Sequence, residues 1–428
     1  MDLFNLYSDL VCKNIEYKPN VSFNLLKAGY WLEGNVLSKF KEKDFLNSQK
    51  YLSKISMDFV LEPMQHSSNA ALVNIFTPCE FLHAMDIYPQ FIEAFSSYLS
   101  GAGCESAFID FAEKEGISDN FCSYHKAFLG AATSKVLPAP KCAITTSLAC
   151  DANINTFRAI SKECGINKYV IDVPYEYSKD AEEYVEMQLK EMVSFLEDNF
   201  NRKLNEDNLK KIILNENKSI DYYKKFLDKL AYKYYPNTLT LEMYRIFATH
   251  AFLGHDKVLE YYRLLLEDID KCNEVKGNRI LWTHLIPFYS EPLREIFNLN
   301  EDNQLVICDF NFDSLIQLDA DKPYKSIAKK LILNHFNGGY DRKVDNILKM
   351  CNKLKIDGVV HLCHVGCKQS FGGAYILKEK LESNNIKTLI IDGDGIDKRN
   401  GNDEQIRTRM EAFLDIIEKE KRHDRICL

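Results

Sequence analysis

Residues 358–397, with the sequence GVVHLCHVGCKQSFGGAYILKEKLESNNIKTLIIDGDGID, decide the fold of this chain. The segment opens with an apolar, β-branched run, continues through two glycines into a helical pattern, and closes with a second apolar run at 388–391. This order of strand, loop, helix and strand predicts a βαβ unit. In open α/β sheets, ligands bind at the carboxyl ends of the strands, where loops meet the N-termini of helices.

Two cysteines, Cys363 and Cys367, lie at the end of the first predicted strand of this unit. The helix dipole and the free N–H groups of the first helical turn favour a thiolate there, and Lys368 adds a positive charge beside Cys367. Either thiol alone could be a packing residue, because free cysteine is among the most buried residue types. The pair at a strand end, beside a lysine, favours metal ligands or reactive thiols.

The composition is that of an ordinary globular protein, with 46% hydrophobic and 27% charged residues in a chain of 428. This length predicts two to three domains. The net charge of −8 argues against a general nucleic-acid binder. No apolar run is long enough to span a bilayer. The first residues, MDLFNLYSDLVCKN, lack the basic segment of a signal peptide, so we expect a cytoplasmic protein without membrane association.

The chain contains 13 cysteines, a high number for a cytoplasmic protein. Disulfides are disfavoured in that compartment, so we expect these cysteines to serve packing, metal binding or redox chemistry. CxxC, HExxH and Walker A motifs are absent, and no GxGxxG follows a strand. The sequence therefore predicts neither paired zinc knuckles nor zincin chemistry, and any use of ATP would have to be supplied by a partner.

The pattern of strands and helices predicts an α/β fold with two Rossmann-like domains built on short parallel sheets, plus N-terminal and central helical segments. Cysteines follow predicted strands in both α/β halves. The predicted segments are an N-terminal helical segment at 1–65, a first α/β domain at 66–178, a helical linker domain at 179–275 and a second α/β domain at 276–428.

Six cysteines at loops or strand ends are candidate ligands: Cys79, Cys104, Cys122, Cys150, Cys363 and Cys367. Structural zinc sites usually take their ligands from one or two compact local motifs, whereas these cysteines come from both α/β halves and fit a buried cluster between them. Thiolates select iron–sulfur clusters, zinc or Cu(I). Four thiolates would complete one cubane, three would leave one iron open to substrate, and six could hold two cubanes. Spacing does not choose among these alternatives. Two further cysteines lie inside predicted elements and are assigned to packing: Cys142 and Cys164.

Three segments carry a family resemblance: TPCEFLHAMDIYP at 77–89, FCSYHKAFLG through TSLACDAN to YVIDVPY at 121–175, and HLCHVGCKQSFGGAYILKEKL through QIRTRMEAFLDII at 361–417. Together they resemble the D-component family of 2-hydroxyacyl-CoA dehydratases. That family also includes benzoyl-CoA reductase subunits and the double-cubane cluster proteins, and the chain looks closest to the double-cubane branch.

The resemblance implies an iron–sulfur cofactor bound by both α/β domains. Three cysteines match the ligands of the dehydratases, where the fourth site of a [4Fe-4S] cluster is free for substrate: Cys122, Cys150 and Cys367. Three additional cysteines depart from that pattern, and such extra cysteines mark the double-cubane branch: Cys79, Cys104 and Cys363. The resemblance therefore implies a double cubane, [8Fe-9S], held by two sets of three thiolates, or a single [4Fe-4S] cluster.

The resemblance also implies a function and partners. The expected function is that of a homodimeric low-potential reductase of small molecules, which receives single electrons from an ATP-hydrolysing activator with its own [4Fe-4S] cluster. The alternative is one subunit of a heterodimeric 2-hydroxyacyl-CoA dehydratase acting through a ketyl radical. A third possibility is an electron carrier without its own substrate. Lys126, Lys368 and Gln369 are candidate catalytic residues that tune the cluster or orient substrate, unless they only solvate their loops.

Overall fold

The computed structural model describes residues 3–37 and 45–427, and within them the strands form two four-stranded sheets. All pairings in these sheets are parallel. The first sheet has the order β2-β1-β3-β4 and the second has the order β6-β5-β7-β8. This architecture confirms the predicted α/β fold with two short parallel sheets. The strands are β1 (Ala70–Val73), β2 (Tyr88–Phe91), β3 (Cys142–Thr146), β4 (Asn167–Ile171), β5 (Asn278–Thr283), β6 (Asn303–Cys308), β7 (Gly358–His364) and β8 (Lys387–Gly393).

Helices pack around the two sheets. Along the chain, further helices precede the first sheet and lie between the first sheet and the second. The helices up to the first central helix are α1 (Leu3–Lys13), α2 (Pro19–Leu32), α3 (Asn47–Gln65), α4 (Glu80–Ala84), α5 (Ile92–Gly101), α6 (Glu105–Lys114), α7 (Ser123–Thr133), α8 (Asp151–Cys164) and α9 (Lys179–Phe200). The remaining helices are α10 (Glu206–Leu230), α11 (Leu239–Thr249), α12 (Asp256–Lys271), α13 (Glu291–Phe297), α14 (Pro323–Leu333), α15 (Tyr340–Leu354), α16 (Lys368–Gly372), α17 (Ala374–Glu382) and α18 (Asp403–Cys427). Short π or 3-10 turns occur at Glu33–Leu37, Ser67–Asn69, Asp309–Phe312 and Lys398–Asn400.

The central strands of both sheets are buried along their whole length, whereas the edge strands β4 and β8 are partly exposed. Parallel strands covered on both faces have continuous apolar sequences, which is why the sequence located them. The edge strand β2 was not predicted. It has only four residues and contains Pro89, which an edge strand tolerates because one side of its backbone needs no ladder partner.

Both sheets have the same relative strand order. In each, the first strand in the chain lies between the second and the third, so the connections change direction at one point. In the first sheet this point lies between β1 and β3, and in the second between β5 and β7. Ligands of open α/β sheets bind in the crevice outside the carboxyl ends of such strands. The loops that follow these four strands carry three of the candidate ligands, Cys79, Cys150 and Cys367, and also His284, so the topology places these residues at the crevices of the two sheets.

The central helices connect the two halves. Helix α9 packs on β4 of the first sheet and on α14 of the second half, and α10 packs on both α4 and α15. The first sheet lies within residues 66–178 and the second within 276–428, while the predicted domain boundaries themselves stay a prediction. In the described ranges, none of the helices combines the length and the apolar character needed to cross a membrane.

Candidate functional site

Three of the predicted ligands, Cys122, Cys150 and Cys367, share one site. Each occupies the N-cap position of a helix, at the start of α7, α8 and α16 respectively. The thiols are close enough for their charges to act on one another: Cys367 and Cys150 act on Cys122, and Cys367 acts on Cys150. The site therefore joins loops from both α/β halves, and each of its cysteines immediately precedes the positive end of a helix dipole.

The electrostatics of this site favour a cationic group. Burial raises the pKa of Cys122 well above its ordinary value, and Cys367 and Cys150 raise it further. Burial, followed by the charge of Cys367, raises the pKa of Cys150 to about 11. Three thiolates in such a site would repel one another unless a metal centre replaced their protons. Soft thiolate donors suit iron–sulfur clusters, so the residues present fit the cofactor that the sequence implied.

The separation of the donors is relevant to the type of metal centre. In the part of the chain that the structure describes, no three His, Cys, Asp or Glu side chains are close enough to hold a single metal ion. In a cubane each thiolate binds a different iron, so the ligand sulfurs lie farther apart than those around one ion. The arrangement of the three cysteines is thus compatible with a cluster of several metal atoms.

Gly366 allows the two ligand loops to approach each other. Its φ of +78° lies in the left-handed region. A Cβ at this position would lie 2.8 Å from the backbone N of Cys122 and 2.9 Å from the carbonyl O of Asn120. Because glycine alone adopts this conformation without strain and presents no side chain, it lets the loop of Cys367 pack directly on the loop of Cys122.

Replacing Gly366 by alanine is therefore expected to damage the site. The strained backbone conformation should cost about 1–3 kcal/mol of unfolding free energy, and the clash should separate the two loops. The measurements are thermal unfolding and the iron content of anaerobically purified protein. Gly372→Ala is the matched control, because its Cβ would have no atom within 4 Å. Equal stability and equal iron content in the two variants would contradict this account.

A model of the 2-hydroxyglutaryl-CoA dehydratase D-component family matches residues 74–417, which include all three clustered cysteines. The chain belongs to this family. Lactoyl-CoA dehydratase subunit alpha of Anaerotignum propionicum is 24% identical over 392 residues, covering 80% of this chain and 89% of that subunit. The (R)-phenyllactyl-CoA dehydratase alpha subunit of Clostridium sporogenes is 20% identical over 408 residues, covering 89% and 97% respectively. The family resemblance drawn from the sequence is confirmed.

In this D-component family member a fourth thiol, Cys363, lies beside the three-cysteine site. Cys363 is the second-last residue of strand β7 and is buried. Burial, then Asp392 and then Cys367 raise its pKa to about 11, so the Cys363 thiol is within electrostatic reach of Cys367. Its Sγ also lies 3.9 Å from the carbonyl O of Ser370. The position is adjacent to the site, and its assignment as a ligand stays a prediction.

The two remaining candidate ligands have other neighbours among the described residues. Cys79 is buried at the start of α4, where the charges that act on it come from Glu80 and Lys330. Cys104 packs against α1, with its Sγ 3.8 Å from Ser8 Oγ and its thiol close enough to that of Cys12 for the two to interact. The turn before it is left-handed at Gly103, which directs the loop toward α1. The interactions of these two thiols are with these neighbours, and their role as ligands stays a prediction.

The three predicted catalytic residues differ in their surroundings. Lys126 is buried, and its Nζ donates to Glu113 Oε1 at 2.6 Å and to the carbonyl O of Asp119 at 2.7 Å. Its ammonium therefore holds the loop that precedes Cys122. Lys368 and Gln369 are exposed in the first turn of α16, immediately after Cys367. Their catalytic roles stay predictions.

Two histidines contact the thiols of the site. His364 Nε2 lies 3.4 Å from Cys122 Sγ, and His284 Nε2 lies 3.3 Å from Cys367 Sγ. Both rings are buried, and His284 has a left-handed φ of 74° that is unusual for a residue other than glycine. The sequence analysis assigned neither histidine a role. The signal that could have identified them is their position in the sequence, because His284 directly follows β5 and His364 is the last residue of β7.

Proposed function

We propose that this chain is the cluster-binding subunit of a 2-hydroxyacyl-CoA dehydratase, with a [4Fe-4S] cluster held by Cys122, Cys150 and Cys367. The observation that carries the proposal is the convergence of these three thiols, each at a helix N-terminus, on one site between the two α/β halves. The two relatives named as dehydratase alpha subunits support the reaction class, the elimination of water from a 2-hydroxyacyl thioester.

Access to the site supports a direct reaction with substrate. Cys150 and Cys367 are partly exposed, whereas Cys122 is buried. A substrate can therefore approach from the side of Cys150 and Cys367. When bound, such a cluster supplies single electrons and an iron with a position open to substrate. The chain holds it with three thiolates and supports the loops of two of them, through Lys126 before Cys122 and through Gly366 before Cys367.

Two partners belong to the proposal. The first is an ATP-hydrolysing activator with its own cluster, since the sequence has no Walker A motif and the reaction needs low-potential electrons. The second is a different subunit, because both relatives are named as alpha subunits. Together these partners would make the chain one component of a multi-subunit dehydratase.

A double-cubane reductase, a homodimer acting on small molecules, is the second candidate. Cys363 favours it, because this thiol lies beside Cys367 and could bind additional iron. The neighbours of Cys79 and Cys104 argue against it, since a double cubane would use six thiolates and the groups that act most strongly on these two thiols are other residues. The iron content distinguishes the two candidates.

The test begins with anaerobic purification and with iron and sulfide counting. About four irons per chain are expected for a [4Fe-4S] cluster, and about eight would favour the double cubane. With lactoyl-CoA or phenyllactyl-CoA, multiple turnovers are expected only when the activator, ATP and the second subunit are present. A preparation that binds no iron, or one that turns over repeatedly with a mild reductant alone, contradicts the proposal.

A further inference from the structure

The ring of His364 lies between a proposed ligand and a backbone loop. Its Nε2 is 3.4 Å from Cys122 Sγ, and its Nδ1 is 3.0 Å from the backbone N of Gly395. The side chain is fully buried, and the ring packs edge-on against Tyr124 at a centroid distance of 5.6 Å. Three contacts, with Cys122, Gly395 and Tyr124, therefore restrict the position of this imidazole ring.

The contact with Gly395 determines which ring nitrogen carries the proton. The Gly395 N–H donates to Nδ1, so Nδ1 must offer its lone pair and the single proton of the neutral ring resides on Nε2. The nearby carboxylate does not change this assignment. Asp394 Oδ1 lies 3.6 Å from Nδ1 and instead accepts hydrogen bonds from Ser123 Oγ, Ile396 N and Asp397 N. Nε2–H is thus directed at the sulfur of Cys122.

A hydrogen bond to a ligand sulfur acts unequally on the two redox states of a cluster. Reduction adds a negative charge that is shared with the sulfurs, and hydrogen bonds to charged acceptors are about twice as strong as neutral ones. Burial strengthens the difference, because the surroundings have a low dielectric constant. An N–H donor held at this sulfur consequently favours the reduced state and raises the reduction potential.

We infer that His364 is a positioning residue that raises the reduction potential of the cluster, by donating an N–H···S hydrogen bond from the second α/β half to Cys122 of the first. The inference rests on the proposed function, because it requires a cluster bound to Cys122. It assigns this histidine a redox role distinct from ligation, and it makes the potential depend on the contact between the two halves of the chain.

The test compares His364→Gln, which keeps an N–H donor, with His364→Met, which has a similar length and no donor. His361→Gln is the control: this histidine is buried on the same strand, and its ring nitrogens contact Thr283 and Ser370 rather than a cysteine. Each protein is purified anaerobically, its iron and sulfide are counted, and its midpoint potential is measured by EPR during titration with dithionite. His364→Met should lower the equilibrium constant for reduction at least tenfold, about 59 mV for one electron. His364→Gln and the control should stay close to the parent protein.

The outcomes separate this inference from the proposed function. Absence of iron from the parent protein overturns both. Equal iron content with an unchanged potential in His364→Met overturns the inference alone. If His364→Met loses its iron, His364→Phe, which keeps a ring against Tyr124, takes its place in the titration. Loss of iron from both donor-free variants shows a purely structural role and also overturns the inference.

Discussion

Cys150→Ala is expected to remove most of the iron from the anaerobically purified protein, whereas Cys164→Ala should leave the iron content unchanged. Cys150 is the N-cap residue of α8 and lies within electrostatic reach of Cys367, so alanine would remove one of three proposed ligands. Loss of a ligand should exceed the roughly 10- to 100-fold loss of metal affinity typical of changes around the ligands. Iron and sulfide analysis, together with the visible absorption of the cluster, measures the effect.

Cys164 is a closely matched control for Cys150. It is the last residue of the same helix, it is only partly buried, and it takes no part in the three-cysteine site. Cys79→Ser and Cys104→Ser extend the test, because both thiols have other neighbours and should be dispensable for iron binding. Loss of about half of the iron from either serine variant would favour two cubanes. Full retention by Cys150→Ala would remove the basis of the cluster assignment.

Lys330→Met is expected to destabilise the fold by about 3–5 kcal/mol, because it breaks a buried ion-pair network. Lys330 Nζ lies 2.6 Å from Glu216 Oε1 and 2.9 Å from Glu80 Oε1, and both carboxyl groups are buried. Without the ammonium, two carboxylates would face each other in the interior with no cation. The residues come from α14, α10 and α4, so the network joins the second half, the central helices and the first half. Chemical denaturation monitored by circular dichroism measures the loss.

The pH dependence of this loss identifies its cause. In the intact protein burial raises the pKa of Glu216 to about 7, although Lys330 acts in the opposite direction. Removing the lysine raises the carboxyl pKa values further, and a folded state with raised carboxyl pKa values becomes less stable as pH rises. The destabilisation by Lys330→Met should therefore be larger at pH 8 than at pH 5.5.

Lys329→Met is the matched control for this network, because Lys329 is exposed on the same helix. Its substitution should change the unfolding free energy by no more than about 0.5 kcal/mol. Adding Glu216→Gln to Lys330→Met should restore part of the stability, since it removes one of the two uncompensated charges. Equal stability of Lys330→Met and Lys329→Met at pH 8 would show that the network contributes nothing to folding.

The sequence alone determined two properties of this protein. One is the secondary structure around the site, and the other is the family to which the chain belongs. Cys142 was placed inside a predicted element and lies in β3, and the apolar run before Cys363 forms β7, because buried parallel strands need continuous apolar residues. The loops after these strands were predicted to carry ligands, and Cys150 and Cys367 do cap the helices that follow. The exception was β2, whose four residues with an internal proline carry too little local signal.

Only the tertiary structure decided which thiols meet. All six candidate cysteines were predicted at loops or strand ends, so local propensity does not distinguish them. Cys122 and His364 are 242 residues apart and come into contact because the two halves pack together and Gly366 has no side chain between the loops. Cys104 instead packs on α1. Local sequence determines where a strand ends, whereas the distance between two loops depends on the packing of all the elements that carry them.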